Sequence, residues 1–136
     1  MISSFADYIQ YIESEDNSIF RRAISEAVSE EVLLQVIEKR PDLKTWVISN
    51  KLVPESVLIL LANDEDQDVR YKVATKRKTP LPILERLADD SVESVRRAVT
   101  HNAKASKHIL EKLAQDTAPE VAEKANLRLR QQDYRL

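Results

Sequence analysis

Cysteine and glycine are both absent from the 136 residues of this chain. Without cysteine the chain can form no disulfide, no thiolate metal site and no cysteine nucleophile. Without glycine it lacks the residue on which phosphate-binding loops, dinucleotide-binding turns and nucleophile elbows depend, because those turns need backbone angles or a close backbone approach that other residues tolerate poorly. These two absences exclude most nucleotide-dependent enzymes.

Long apolar runs and a basic leader are also missing. The longest apolar run, residues 57–62, is far shorter than the roughly 18 residues that indicate a membrane span. The first ten residues have neither the basic start nor the apolar stretch of a signal peptide. We therefore expect a soluble, cytoplasmic protein that makes no membrane contact.

The net charge of −2 conceals an asymmetry between the two halves of the chain. Residues 1–66 carry 13 acidic and 6 basic side chains, a balance of −7, whereas residues 67–136 carry 10 and 15, a balance of +5. One interpretation is two ordinary solvated surfaces. The other is a polarised molecule whose C-terminal half attracts an acidic partner.

The chain does contain a repeat with a period of 26 residues (87 − 61 and 113 − 87). The repeated triplets are Leu61-Ala62-Asn63, Leu87-Ala88-Asp89 and Leu113-Ala114-Gln115. A fixed period of roughly 20 to 50 residues is typical of stacked supersecondary units. The register predicts one domain, 1–136, with a divergent N-terminal capping unit at 1–28, repeats at 29–53, 54–79, 80–105 and 106–131, and a tail at 132–136.

Each repeat is predicted to form two short helices. Apolar residues at helical spacing occur on both sides of an interruption at 89–91, and the same pattern recurs in the other repeats. The predicted fold is therefore all-α, a right-handed α-solenoid of about five short two-helix repeats, with Val69, Val95 and Val121 in one buried row.

Helix boundaries are predicted from prolines and capping residues. Ser106 is expected to cap one helix, and Thr117 is expected to cap the last helix with Pro119 at its first position. Because no glycine is available, we expect the helices to stop at Asn50, Asn63 and Asn102 in left-handed conformations.

Two family resemblances follow from these motifs. Asp64…Val69-Arg70, repeated as Asp90…Val95-Arg96, resembles HEAT repeats, in which such Asp and Arg residues form a ladder between units. The string Pro-x-x-(Ile/Val)-Leu-x-x-Leu-Ala-x-Asp, which starts at Pro54, at Pro80 and, with Ser for Pro, at Ser106, is similar to the leucine-rich repeat variant family. Both resemblances imply an armadillo-like helical scaffold, and the second is found largely in bacterial proteins. Some variant-family members carry a cysteine-bound iron–sulfur segment, which this chain lacks the cysteines to hold, so no cofactor is expected.

The six-residue spacing predicts an ion pair within each unit, Asp64 with Arg70 and Asp90 with Arg96. Asp116 is followed by no arginine at the equivalent position, where Ala122 stands. We therefore expect the structural ladder to end there.

No residues suggest catalysis or metal binding. His101 and His108 are the only histidines and lack the convergent spacing of a metal site. Asp89 and Asp90 resemble a catalytic carboxylate pair, yet a turn before a helix N-terminus explains them better. We predict that the protein is not an enzyme.

The second helix of each repeat is predicted to carry the binding surface. Positions about 180° away from Val69 and Val73 on a helix point toward solvent. The partner-binding residues predicted in this way are Tyr71, Thr75, Lys78, Arg97, His101, Lys104 and Arg130. Trp46 is expected to pack half-buried rather than to anchor a partner.

Three functions remain open. The first is a non-enzymatic adaptor or regulatory module that binds a protein with an acidic surface. The second is a nucleic-acid-binding HEAT-like protein, similar to a DNA glycosylase, that uses the basic C-terminal half; only seven aromatic residues and a net acidic chain weigh against it. The third, a repeat subunit that assists assembly or antagonises a toxin, has the same sequence signature as the first.

Overall fold

The structure, a computed structural model, describes residues 1–134; the end of the predicted tail, residues 135–136, lies outside the described residues. Across the described part the chain forms ten α-helices. They are α1 (Phe5–Ile12), α2 (Asn17–Ser25), α3 (Glu30–Lys39), α4 (Lys44–Ser49), α5 (Glu55–Leu61), α6 (Gln67–Thr75), α7 (Leu81–Leu87), α8 (Glu93–His101), α9 (Lys107–Leu113) and α10 (Pro119–Arg130). A short 3-10 helix, Pro41–Leu43, precedes α4.

The all-α prediction is confirmed. No β-strand forms within residues 1–134, where Ile2 and Val28 make an isolated parallel bridge. None of the helices in that range has the length and apolar character needed to cross a bilayer.

Side-chain caps begin several of the helices. Ser4, Asp16, Ser29, Asp66 and Ser106 each accept a hydrogen bond from a main-chain N–H in the first turn that follows. The Ser106 cap was predicted. The Thr117 cap is wrong, because the N-cap residue of α10 is Ala118, which makes no side-chain cap. The carboxylate of Asp116 instead accepts the Ala118 N–H at 2.8 Å.

The predicted helix stops are wrong in their backbone conformation. Asn50 and Asn102 do end α4 and α8, but both are extended, with φ of −61° and −73°. The single positive φ within residues 1–134 belongs to Gln132. The reason for asparagine at the two helix ends lies in its side chain.

Buried amides tie successive second helices together. In the N-terminal part, Asn50 Nδ2 donates to the carbonyl oxygens of Ala23 and Glu26 at 2.7 and 2.9 Å, at the end of α2. The same arrangement recurs at 102, where Nδ2 of the buried Asn102 donates to the carbonyl oxygens of Ala74 and Lys76. These bonds satisfy orphan carbonyl groups at helix C-termini.

The chain divides into two compact units, one ending at Leu61 and the other starting at Ala62. The division falls between α5 and α6, inside the predicted repeat 54–79. In the first unit α3 packs against α1, α4 and α5, and α2 packs against α1 and α4. Buried side chains such as Tyr8, Leu33 and Ile48 fill the space between these helices.

In the second unit, α8 packs against α6 on one side and α10 on the other. Val69, Val95 and Val121 lie one on each of these helices and are all buried, so the predicted valine row is confirmed. α7 contacts α6 and α8, and α9 contacts α8 and α10. The second helices α6, α8 and α10 thus lie side by side, and their solvent-facing residues share one surface.

Candidate functional site

The conserved spacing of Asp and Arg within the repeats produces a ladder of ion pairs in the second unit. Arg70 donates from Nε and NH2 to the Asp90 carboxylate at 2.8 and 3.2 Å. Arg96 donates in the same bidentate manner to Asp116 at 2.7 and 3.2 Å. Within each pair the guanidinium is mostly buried, and the carboxylate is 8% and 9% exposed for Asp90 and Asp116.

The predicted pair of Asp90 with Arg96 is wrong. Arg96 reaches its own unit only through the carbonyl oxygen of Asp90, to which NH1 donates at 2.8 Å. Arg70 likewise donates from NH1 to the carbonyl oxygen of Asp64 and forms its ion pair with Asp90. Each arginine therefore pairs with a carboxylate 20 residues further along the chain, in the next 26-residue period of the sequence.

The ladder shifts the pKa of three of its members. The hydrogen bonds from Arg96 hold the pKa of the Asp116 carboxyl below its ordinary value. The same bonds raise the pKa of Arg96, and the bonds to Asp90 raise the pKa of Arg70. The pairs therefore stabilise the charged forms of Asp116, Arg96 and Arg70.

A groove between α6 and α8 contains four of the seven predicted partner-binding residues. Tyr71 and Thr75 form the α6 wall, and Arg97 and His101 form the α8 wall. The groove has a volume of about 270 Å³, and Ala98 with Asn102 completes its lining. The i, i+4 spacing on each helix places both members of a wall on the same face, which is why the sequence pattern identified them.

A second depression continues the surface beyond the ends of α6 and α8. It is lined by Arg77, Lys78, Ala103 and Lys104 and has a volume of about 610 Å³. Its cations follow helix C-termini, where positive side chains complement the helix dipole. Arg130, the last residue of α10, is exposed but lines neither depression.

Arg77 is not among the predicted partner-binding residues. Lys76, also outside that set, is half-buried beside it. Burial lowers the pKa of Lys76, and the charges of Lys78 and Lys72 lower it further. The contributions of Lys78 and Lys72 show that positive charge is concentrated at the end of α6. The run Lys76-Arg77-Lys78 marks this concentration in the sequence.

The groove on the other side of α8 differs in charge. Arg97 and His101 face Glu120, Glu123, Lys124 and Leu127 of α10 across it. Arg97 NH1 donates to Glu120 Oε2 at 2.9 Å, and the two side chains are 43% and 68% exposed. Arg97 thus borders a groove with acidic residues on one side and a groove without them on the other.

The orientation of the α8 wall is fixed by main-chain contacts. His101 Nδ1 lies 2.9 Å from the carbonyl oxygen of Arg97 and 3.2 Å from the hydroxyl oxygen of Thr100. The ring is therefore held against its own helix, at the exposed edge of the groove.

A buried arginine, which sequence reasoning also missed, supports α10. Arg128 is 3% exposed, and its NH1 donates to the carbonyl oxygens of Thr100 and Asn102 at 2.9 and 2.8 Å. It stands 26 residues after Asn102 and performs the same role, so the repeat register was the signal that could have found it. In the first unit, Trp46 packs edge-to-face on Phe20 with ring centroids 5.1 Å apart and remains 41% exposed, as predicted.

Metal ligands do not converge in the described part of the chain, where no group of three or more His, Cys, Asp or Glu side chains is placed to hold an ion. His108 Nε2 lies 3.4 Å from a Glu85 carboxylate oxygen on the surface. Comparison with protein-family models, with curated protein sequences and with solved structures finds no match to this chain.

Proposed function

We propose that this chain is a non-enzymatic interaction module that binds an acidic segment of a partner protein. The binding surface is the face of α6 and α8 formed by the groove and the basic depression beyond it. The observation that carries this proposal is that the two depressions together present four cations, Arg97, Arg77, Lys78 and Lys104, and no described carboxylate lines either of them.

That charge distribution is selective. The protein as a whole carries a net charge of −2, so two depressions lined by cations and by no described carboxylate differ from the average of the chain. A patch of one sign raises the encounter rate with a segment of the opposite sign and disfavours partners of the same sign. The groove floor is apolar at Ala98 and its wall carries Tyr71, so the surface also offers contact area to a peptide backbone.

The proposed architecture is a HEAT-like, right-handed α-solenoid of five two-helix repeats. Two features support it: the 26-residue register covers the predicted repeats at residues 29–131, and inside each compact unit equivalent helices pack side by side, α1 with α3 and α6 with α8. Solenoids commonly bind extended partners along stacked second helices. Urea unfolding checks the architecture, since stacked repeats are stabilised by nearest-neighbour contacts and should unfold progressively from an end when a terminal repeat is destabilised.

The functional test is charge reversal on the face, Lys78→Glu with Lys104→Glu, and binding of rhodamine-labelled decaglutamate followed by fluorescence anisotropy. We expect the reversal to weaken binding at least tenfold at low salt, chiefly by slowing association, and to leave the melting temperature nearly unchanged. A matched control, Arg86→Glu with Lys107→Glu, makes the same charge change on α7 and α9, away from the face, and should retain most of the binding.

Nucleic acid is the competing ligand in the same assay. Micromolar binding of random-sequence DNA or RNA at physiological salt, lost in the Lys78 and Lys104 reversal, would replace the acidic protein partner with a nucleic acid. Failure of the wild-type protein to bind decaglutamate, or equal loss in the face variant and the control, would contradict the proposal.

A further inference from the structure

The Arg97–Glu120 pair is weaker than the two ladder pairs of the second unit. It uses one guanidinium nitrogen, NH1, at 2.9 Å, and its two side chains are 43% and 68% exposed. By contrast, Arg70 and Arg96 bind their carboxylates through two nitrogens, with both partners mostly buried. Bidentate pairing is stronger than a single contact, and exposed ion pairs contribute little to stability.

Arg97 also borders both grooves. On its α6 side it faces Tyr71 and Thr75, and on its α10 side it faces Glu120 and Glu123. A carboxylate that arrives in the α6–α8 groove therefore meets a guanidinium that is held from the opposite side by one exposed contact.

We propose that Glu120 is an internal competitor for the binding face: in the free protein it occupies the place on Arg97 that an acidic side chain of the partner takes on binding. This inference rests on the proposed function and adds a regulatory contact to it. Glu120 neutralises the charge of Arg97, so a ligand with few carboxylates cannot compete for that side chain. A segment that offers several carboxylates at once displaces Glu120 from Arg97. The internal pair thus sets a threshold of partner charge for binding.

The test compares Glu120→Gln with Glu123→Gln, a matched control. Both residues are on the same helix, exposed and within the α8–α10 groove, and both substitutions remove one negative charge. Binding of rhodamine-labelled decaglutamate is measured at about 0.15 M salt, where charges more than about 8 Å apart are largely screened. We expect Glu120→Gln to tighten binding by about two- to fivefold, the range of an exposed ion pair, and Glu123→Gln to change it less.

A second pair of variants isolates Arg97. Arg97→Gln should weaken binding, and adding Glu120→Gln to it should produce no further gain, because the contact that Glu120 blocks is gone. If Glu120→Gln and Glu123→Gln bind equally while the Lys78 and Lys104 reversal still abolishes binding, Glu120 is no competitor and the proposed function stands. If the wild-type protein does not bind decaglutamate at all, the proposed function falls and this inference falls with it.

Discussion

The ladder between repeats makes a quantitative prediction for the Arg96–Asp116 pair. The substitutions are Arg96→Met, which keeps the alkyl packing, and Asp116→Asn, which keeps an oxygen to accept the Ala118 N–H. Breaking one side of a buried pair costs roughly 3–5 kcal/mol, whereas an exposed pair is worth about 0–1. With side chains 16% and 9% exposed, this pair lies nearer the buried limit.

We therefore expect each single substitution to lower the free energy of unfolding by about 2–3 kcal/mol. The double variant should lose about 3 kcal/mol, because the second substitution removes a group whose partner has already gone. Urea unfolding measures the resulting coupling of about 2 kcal/mol. The exposed Arg97–Glu120 pair serves as a reference cycle and should couple by less than about 1 kcal/mol.

Acid titration checks the same pair independently. Since the pKa of Asp116 is lowered in the folded protein, the stability it contributes is present above the ordinary value of 3.8 and is lost as pH falls through the lowered one. The Arg96→Met protein should show a shallower loss in that range. Coupling below about 0.5 kcal/mol for Arg96 with Asp116, or a larger coupling of Arg96 with Asp90, would refute the ladder geometry.

Two further substitutions test the buried polar groups. Tyr8 is fully buried, its hydroxyl has no hydrogen-bond partner within the described residues, and burial raises its pKa to about 12. Tyr8→Phe should therefore stabilise the protein by about 1 kcal/mol. Wild type should lose stability between pH 10 and 12, because the unfolded tyrosine releases its proton first, and the Tyr8→Phe protein should lose less. Urea unfolding that shows a loss of stability in Tyr8→Phe would mean that the hydroxyl is satisfied. The Asn102 side chain makes three hydrogen bonds, because its Oδ1 also accepts the Lys104 N–H at 2.8 Å. Asn102→Ala should therefore cost about 2–4 kcal/mol, since buried main-chain groups stay unpaired. Asn126→Ala on the surface of α10, with one bond to Ala122, should cost less than about 0.5 kcal/mol, and equal costs would contradict a special role of the buried amide.

The sequence register was sufficient to predict where the helices lie and which valines are buried. Repetition at a fixed period places equivalent residues in equivalent environments. Val69, Val95 and Val121 are therefore either all buried or all exposed. The same symmetry also placed Tyr71 and Arg97 on one solvent-facing surface, although it could not reveal that they form two walls of one groove. That closeness depends on the packing distance between α6 and α8.

Other features depend on three-dimensional geometry that a register does not contain. A spacing of six residues within a unit implies a spacing of 20 to the next unit, so the pattern is the same whether Arg96 pairs with Asp90 or Asp116. The backbone preference of asparagine predicts a left-handed conformation at a helix end. Asn102 is instead explained by its side chain, which donates to carbonyl groups that lie one repeat earlier. In both cases the deciding partner comes from a neighbouring repeat.

The direction of the ladder has a consequence for the length of the array. Both ladder arginines, Arg70 and Arg96, pair with the carboxylate 20 residues further along the chain. A duplicated copy of residues 80–105, placed directly after the original, therefore brings one new donor and one new acceptor. Arg96 would then pair with the copied Asp90, and the copied Arg96 would pair with the original Asp116, so no charge is stranded. Insertion of a whole 26-residue period preserves the ion pairs, whereas insertion of part of a period leaves a charge without its partner. The ladder therefore favours growth by tandem duplication of whole periods, and each added period would extend the second-helix face by one more groove.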